Sequence, residues 1–184
     1  IKSILDIGCG MGWSLEYLSR QCPGAELFAI ESSDHCVEHL KYRIKANVIA
    51  EDIDEASKAI PHLKFDLIVM RHVLEHLLSP MSTLRWVSES LSDHGIAYFS
   101  LPNLMKAKPP FIDGIFEVVH VSYFTRVTFE YAARLSALVP MCLLEEEDEL
   151  WGIFRRGVAG EAIPRVSEYQ KARDFVLNQI SQEK

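Results

Sequence analysis

Ile4-Leu5-Asp6-Ile7-Gly8-Cys9-Gly10-Met11-Gly12 is a short apolar run that closes on an acid and continues into three glycines at alternate positions. Ile4, Leu5 and Ile7 leave almost no polar face, so residues 3–7 read as a strand buried on both sides. Helical spacing begins at once afterwards, with Leu15 and Leu18 on one side and Trp13 and Tyr17 on another. A glycine loop between strand and helix lets backbone come close to a ligand, because glycine reaches positive φ without a Cβ clash. The helix N-terminus beyond it offers unpaired N–H groups and the positive end of a dipole to an anionic group.

The glycine spacing discriminates between ligands. The dinucleotide fingerprint is G-x-G-x-x-G, whereas this chain has G-x-G-x-G preceded by Asp6. That pattern resembles motif I of the class I S-adenosylmethionine-dependent methyltransferases. The resemblance implies that the loop passes beside the methionine part of the cofactor, with Asp6, Gly8, Gly10 and Gly12 in the cofactor site. Residues 26–30 read as a second strand, and Glu31 follows it, 19 positions after Gly12. A doubly wound fold places its ribose-binding acid about 20 residues on. A carboxylate there accepts hydrogen bonds from two vicinal hydroxyls. The competing role for Glu31 is a helix N-terminal charge ahead of Ser32, Ser33 and Asp34. Asn47-Val48-Ile49-Ala50 reads as a third strand. The resemblance implies that Asp52 beyond it faces the adenine amino group and that Ile53 covers the adenine face. Glu51 is the rival acid, and a helix-start charge before residues 54–60 is the plainer role.

The likeness continues downstream. Phe65-Asp66-Leu67-Ile68-Val69, followed by Val73-Leu74-Glu75-His76, looks like the corresponding segment of small-molecule methyltransferases, including the ubiquinone-biosynthesis type. Residues 95–100 read as a fifth strand closed by Leu101-Pro102-Asn103, and His120 to Thr125 looks like that family's histidine-to-"FT" segment before a helix. The similarity runs over residues 3 to about 139 and implies an α/β fold. The expected architecture is a doubly wound, seven-stranded Rossmann-like sheet in the order 3-2-1-4-5-7-6, with the last strand inserted antiparallel. Alternating strand and helix patterns alone support only the α/β class.

One motif points elsewhere. His72-Val73-Leu74-Glu75-His76 matches the H-x-x-E-H pattern of zinc peptidases. That chemistry needs a long helix, and Ser79-Pro80 starts a new helix too soon to allow one. His35 and His39 are also four apart and read as a solvated helix face. Cys9, Cys22, Cys36 and Cys142 form no C-x-x-C pair, so no metal is expected and reduced thiols are.

The 184 residues suffice for one domain with a real core, and a 48% hydrophobic content is that of a globular chain. A net charge of −7 argues against general nucleic-acid binding. No apolar stretch reaches the roughly 18–20 residues that span a bilayer, and no signal peptide is visible, so a cytoplasmic protein is expected. The chain starts at Ile1, directly on the first strand. The resemblance implies at least one helix ahead of that strand, so the sequence is expected to be part of a longer protein, lacking some of the acceptor lid.

Helical stripes follow strand two (Val37, Leu40, Ile44) and strand four (Met81, Leu84, Val87, Leu91). Residues 101–122 are irregular and proline-punctuated, as lids and binding loops often are. A helix over 126–138 follows a Thr125 cap, and residues 141–144 and 150–154 read as two closing strands around a solvated acidic turn, 145–149. A final helix over about 164–181, starting near Pro164 and carrying Val166, Tyr169, Val176 and Ile180 on one stripe, either packs back or contacts a partner, for instance in a homodimer. The expected division is a methyltransferase domain over 1–160 and a helical extension over 161–184.

Methyl transfer from a sulfonium has an activated, neutral leaving group, so the cofactor carries the hard chemistry. The protein aligns the reactants and, for some acceptors, removes a proton. His120 is the candidate base, with a structural histidine as the competing role. His76 and Arg71 lie beyond the carboxyl end of strand four, where open α/β sheets bind ligands. Arg71 is assigned to the cofactor, and His76, Asn103 and Tyr123 to the acceptor. The expected function is methyl transfer from S-adenosylmethionine to a small-molecule or lipid-like acceptor. The alternatives are a non-catalytic binding or assembly module of the same fold, and a nucleotide-binding oxidoreductase, which the glycine spacing opposes.

Overall fold

The computed structural model describes residues 1–53, 55–56, 62–108, 110, 119–160 and 167–182. The expected helix over 54–60, the centre of the irregular stretch and the start of the final helix lie mostly outside these residues.

Strand β1 (Ser3–Ile7) is the hub, with Ile4 and Leu5 both fully buried. It pairs in parallel with β2 (Glu26–Ile30) on one side and β4 (Phe65–Arg71) on the other, and β2 pairs in parallel with β3 (Asn47–Ala50). Next to β4 runs β5 (Leu91–Pro102), also parallel. The chain closes with a hairpin of β6 (Leu138–Glu146) and β7 (Glu149–Arg156), and β7 enters the sheet antiparallel to β5. The resulting order β3-β2-β1-β4-β5-β7-β6 is the expected one.

Alternation along the strands feeds two cores. One face presents Ile4, Ala29, Leu67 and Val69 to Leu15 of α1 (Trp13–Gln21) and to Leu40, just beyond α2 (Asp34–His39). The opposite face presents Leu5, Ile68, Met70 and Phe99 to α3 (Pro80–Ser90) and α4 (Arg126–Leu135), whose Phe129 meets Phe99 and Phe154 edge-on. Thr125 caps α4 as expected, in a reciprocal capping box with Thr128.

Several boundaries differ from the sequence expectation: α4 ends at Leu135 and β6 already begins at Leu138, where the sequence reads as a helix to 138 and a strand from 141. Strand β5 starts at Leu91 rather than Gly95, because Leu91 pairs with Phe65 before the register shifts to Ile96 opposite Leu67. The acidic run 145–149 is not one solvated turn. Glu145, Glu146 and Glu149 lie in the strands, where cross-strand pairing holds them, and only Glu147 and Asp148 make the turn. The last helix, α5 (Tyr169–Gln182), lies beside the turn Leu104–Lys106. Between β4 and α3 the H-x-x-E-H segment makes one tight turn, Leu74–His76, so its two histidines do not share a long helix. Among the described residues, no helix is long and apolar enough to cross a membrane.

Candidate active site

Two clusters sit at the carboxyl edge of the sheet. The first surrounds the glycine loop. Gly8, Gly10 and Gly12 all adopt positive φ (65°, 54° and 78°), and the Gly8 N–H donates to the Ile30 carbonyl at 2.8 Å, tying the loop to the end of β2. A Cβ on Gly12 would lie 2.7 Å from Leu40 Cδ2 and would sit at a φ of 78°, so packing beneath the loop and the left-handed backbone together favour glycine here. A Cβ on Gly10 would meet nothing within 4 Å, which leaves open space above the loop's centre. Glu31 is buried, and its carboxylate accepts from the Gly10 N–H at 2.7 Å and the Ser33 N–H at 2.9 Å. Its orientation is fixed beside that space by backbone donors. It also sits at the start of α2, so the ribose and helix-start roles coincide in place.

Asp6 lies under the same loop, 2% exposed, and its Oδ2 has no hydrogen-bond partner. Burial pushes its carboxyl up to about 7, Arg71 opposes the shift and Glu31 adds to it. A buried, unpartnered acceptor next to an open cradle fits a ligand carrying donors and positive charge. The sulfonium and ammonium groups of S-adenosylmethionine have that character, and its ribose matches Glu31. Arg71 is exposed at the end of β4 and also borders a cavity of about 530 Å³ between α1 and the sheet, with Trp13, Tyr17 and Tyr98. Asp52 is exposed and accepts from the Glu55 N–H at 2.7 Å, which caps the turn after β3, while Ile53 is buried in the main core.

The second cluster lies beyond β4 and β5. His76 places Nδ1 3.0 Å from the Val119 carbonyl, and its ring centroid is 4.7 Å from that of His120. Tyr123 is 6.4 Å from His120 between ring centroids, and burial pushes its hydroxyl up. The structure therefore brings His76, His120 and Tyr123 together. Asn103 is 1% exposed and fastens the scaffold: its amide donates to Glu145 at 3.1 Å and its carbonyl accepts from the Met105 N–H at 3.1 Å.

Sequence reasoning passed over Glu75, His72 and Glu149. Glu75 is 2% exposed, and one of its oxygens, one ring nitrogen of His76 and one of His120 lie within 4.8 Å of one another. His72 stands between Glu75 Oε1 at 3.5 Å and Glu149 Oε1 at 3.0 Å, at a φ of 51°. The H-x-x-E-H spelling was the available signal, set aside with the peptidase it suggests.

Strand order, antiparallel β7 and a glycine loop facing an acid after β2 define a class I methyltransferase domain. A family model described as a methyltransferase domain matches residues 2–136. The chain belongs to that family, and S-adenosylmethionine is its cofactor. It is 28% identical over 107 residues to a ubiquinone biosynthesis O-methyltransferase from Nitrosospira multiformis, covering 55% of this chain and 44% of that protein. Against a malonyl-[acyl-carrier protein] O-methyltransferase from Anoxybacillus flavithermus it is 27% identical over 180 residues, 96% of this chain and 64% of that one. The chain thus spans less than two thirds of the length of these curated relatives. In fold it is similar to the plantazolicin methyltransferase BpumL solved with SAH (TM-score 0.68, 22% identity, 85% of this chain and 77% of that one). It is likewise similar to an S-adenosylmethionine-dependent methyltransferase from Mesorhizobium loti (TM-score 0.67, 18% identity, 84% and 90%).

Proposed function

We propose that the protein transfers a methyl group from S-adenosylmethionine to a hydroxyl or carboxyl oxygen of a small-molecule or lipid-like acceptor. The observation that carries this is the pairing of two sites along one sheet edge: a cradle around Gly10, Glu31 and Asp6, and an imidazole pair, His76 and His120, beyond β4. Oxygen is favoured because both relatives above are named as O-methyltransferases. Gly8, Gly10, Gly12, Asp6, Glu31 and Arg71 serve the cofactor, with Asp52 and Ile53 at its adenine end. His76 and Tyr123 border the acceptor, and His120 takes the proton where that acceptor is a hydroxyl; a carboxylate acceptor arrives without one. Asn103 supports this region through its bond to the hairpin. No metal is needed, since the leaving group is already activated.

The test is SAH formation by the full-length protein against phenols, quinone precursors, hydroxy acids, thioester-linked carboxylates and amines. Turnover of an oxygen acceptor is expected. Turnover confined to amines would overturn the oxygen assignment, and tight cofactor binding with no turnover at all would favour a binding module.

A further inference from the structure

Among the described residues Glu75 is as deeply buried as Asp6, at 2% exposed, and methyl transfer as described above gives it no role. Its backbone carbonyl accepts the N–H groups of both Val121 and Ser122, each at 3.0 Å. These bonds stitch the turn after β4 to the segment leading into α4, which sets His120 beside His76. The Glu75 carboxylate lies beneath that junction with no hydrogen-bond partner on either oxygen. It also lines a narrow crevice with His120, Tyr123 and Phe124 whose free volume is only ≈ 10 Å³, about the room one water takes.

A carbonyl only accepts, so His76 carries its proton on Nδ1 to bond Val119. Its Nε2 then faces Glu75 Oε1 at 3.9 Å. An ionised carboxylate and an imidazole lone pair repel at that range, and a single proton between them turns repulsion into attraction. His72 approaches the same oxygen from the other side. Its left-handed backbone conformation is costly for a residue other than glycine, and it sets the ring between the carboxylates of Glu75 and Glu149. Glu149 is itself held by the Ser100 hydroxyl, which donates at 2.7 Å.

We propose that Glu75 is the positioning residue of the acceptor site: its buried carboxylate orients the His76 and His120 imidazoles and, together with Glu149, brackets the His72 ring. The kinetic half of this assignment rests on the methyl-transfer function above. As the acceptor oxygen bonds the methyl carbon, the carbon–sulfur bond breaks with its electron pair left on sulfur, and the hydroxyl proton passes to an imidazole nitrogen. Glu75 offsets the imidazolium charge so formed. Among the described residues, the groups facing Glu75 are His72 and His76 from its own turn and His120 and Tyr123 from the segment before α4. Glu149 and Asp148 of the β6–β7 hairpin reach it through His72.

The test is imidazole NMR titration of the full-length protein and its Glu75→Gln and Glu75→Asp variants, with cofactor affinity by calorimetry and the pH–rate profile. Glu75→Gln is expected to lower the His72 titration midpoint, leave cofactor affinity unchanged and slow methyl transfer by roughly 10²-fold, the scale of a misplaced reacting group. Glu75→Asp restores the midpoint and part of the rate. Should Glu75→Gln fail to fold, Glu149→Gln removes the other carboxylate from the exposed side and is expected to lower the same midpoint. An unchanged His72 midpoint in every variant that folds overturns the assignment. So does an unaltered pH–rate profile, or a stoichiometric divalent metal that Glu75→Gln removes. The titration needs no acceptor, so it decides the role of Glu75 even if the acceptor panel yields no turnover.

Discussion

The proposed cofactor half and the proposed acceptor half of the sheet edge are built by opposite means. Around the glycine loop, backbone does the work: Gly10 and Ser33 N–H groups fix Glu31, and the Gly8 N–H anchors on Ile30. Beyond β4 and β5, side chains from distant positions do it: His72 to Glu149, Ser100 to Glu149, Asn103 to Glu145, His76 to the Val119 carbonyl. A backbone cradle is stiff and tolerates few substitutions. A side-chain assembly can be re-aimed by changing one partner, which suits the half that must match an acceptor.

The strongest way to break this contrast is His120→Ala. If His120 is the acceptor's general base, methyl transfer falls about 10²–10⁴-fold, the usual effect of removing one, while cofactor affinity measured by calorimetry stays the same. Lost cofactor binding would move His120 into the cradle and erase the division. Near-normal turnover would leave proximity as the source of rate.

Next in size is the pair Gly12→Val and Gly10→Val. At Gly12 the new side chain collides with Leu40 at a φ of 78°. Left-handed strain of ~1–2 kcal/mol and overpacking of ~1–3 kcal/mol predict a loss of about 2–5 kcal/mol in urea unfolding. At Gly10 only the strain applies, because the space is open, and the damage appears in cofactor affinity instead. Equal destabilisation by both variants would show that the open space above Gly10 is not reserved for a ligand.

Glu31→Ala is a smaller step along the same line. Losing charge-assisted bonds to the ribose is expected to weaken cofactor binding by about 1–3 kcal/mol. Part of that loss comes from freeing the Gly10 and Ser33 N–H groups, so Glu31→Gln, which still accepts one of them, is expected to fall between. Calorimetry showing wild-type affinity for Glu31→Ala would reassign this acid to the helix start.

The same contrast explains what the sequence disclosed. The glycine loop and Glu31 are placed by local backbone geometry, and a strand–loop–helix–strand unit has few ways to fold, so their position was readable from spacing, while their proposed cofactor role, like that of Asp6, came from the resemblance. The order of the strands followed from resemblance rather than from periodicity. Glu149 was misplaced into a solvated turn because an acidic run looks alike whether its ends pair across strands or not. Glu75 was hidden because its partners beyond the H-x-x-E-H stretch, His120 and Tyr123, come from positions that only the fold brings close. The positive φ of His72 leaves no mark in residue type, since histidine is an ordinary residue at a strand end. Asp52 and Asn103 show the reverse case: their local capping bonds are visible in the structure, and residue type alone did not separate capping from ligand contact.

The smallest expected effect tests whether the His72 bridge ties the hairpin to the acceptor half. Glu75, then Glu149, raise the His72 pKa above the ordinary histidine value, with partial burial opposing them. The folded state therefore holds this proton more tightly than the unfolded chain does. The resulting stability is fully present below the unfolded histidine value, about 6.5, and is lost as pH rises through the higher folded value. The ring is 40% exposed, so solvent screening limits the contribution to under ~1 kcal/mol. The measurement is the difference in unfolding free energy between wild type and His72→Gln at about pH 5.5 and pH 9. The backbone strain that glutamine keeps at this position does not depend on pH, so it cancels between the two conditions. A difference that shrinks on the alkaline side supports the bridge. A difference that stays constant would leave the β5–β7 ladder and the Ser100–Glu149 hydrogen bond to hold the hairpin turn on β5, and would cut Glu75 off from the hairpin.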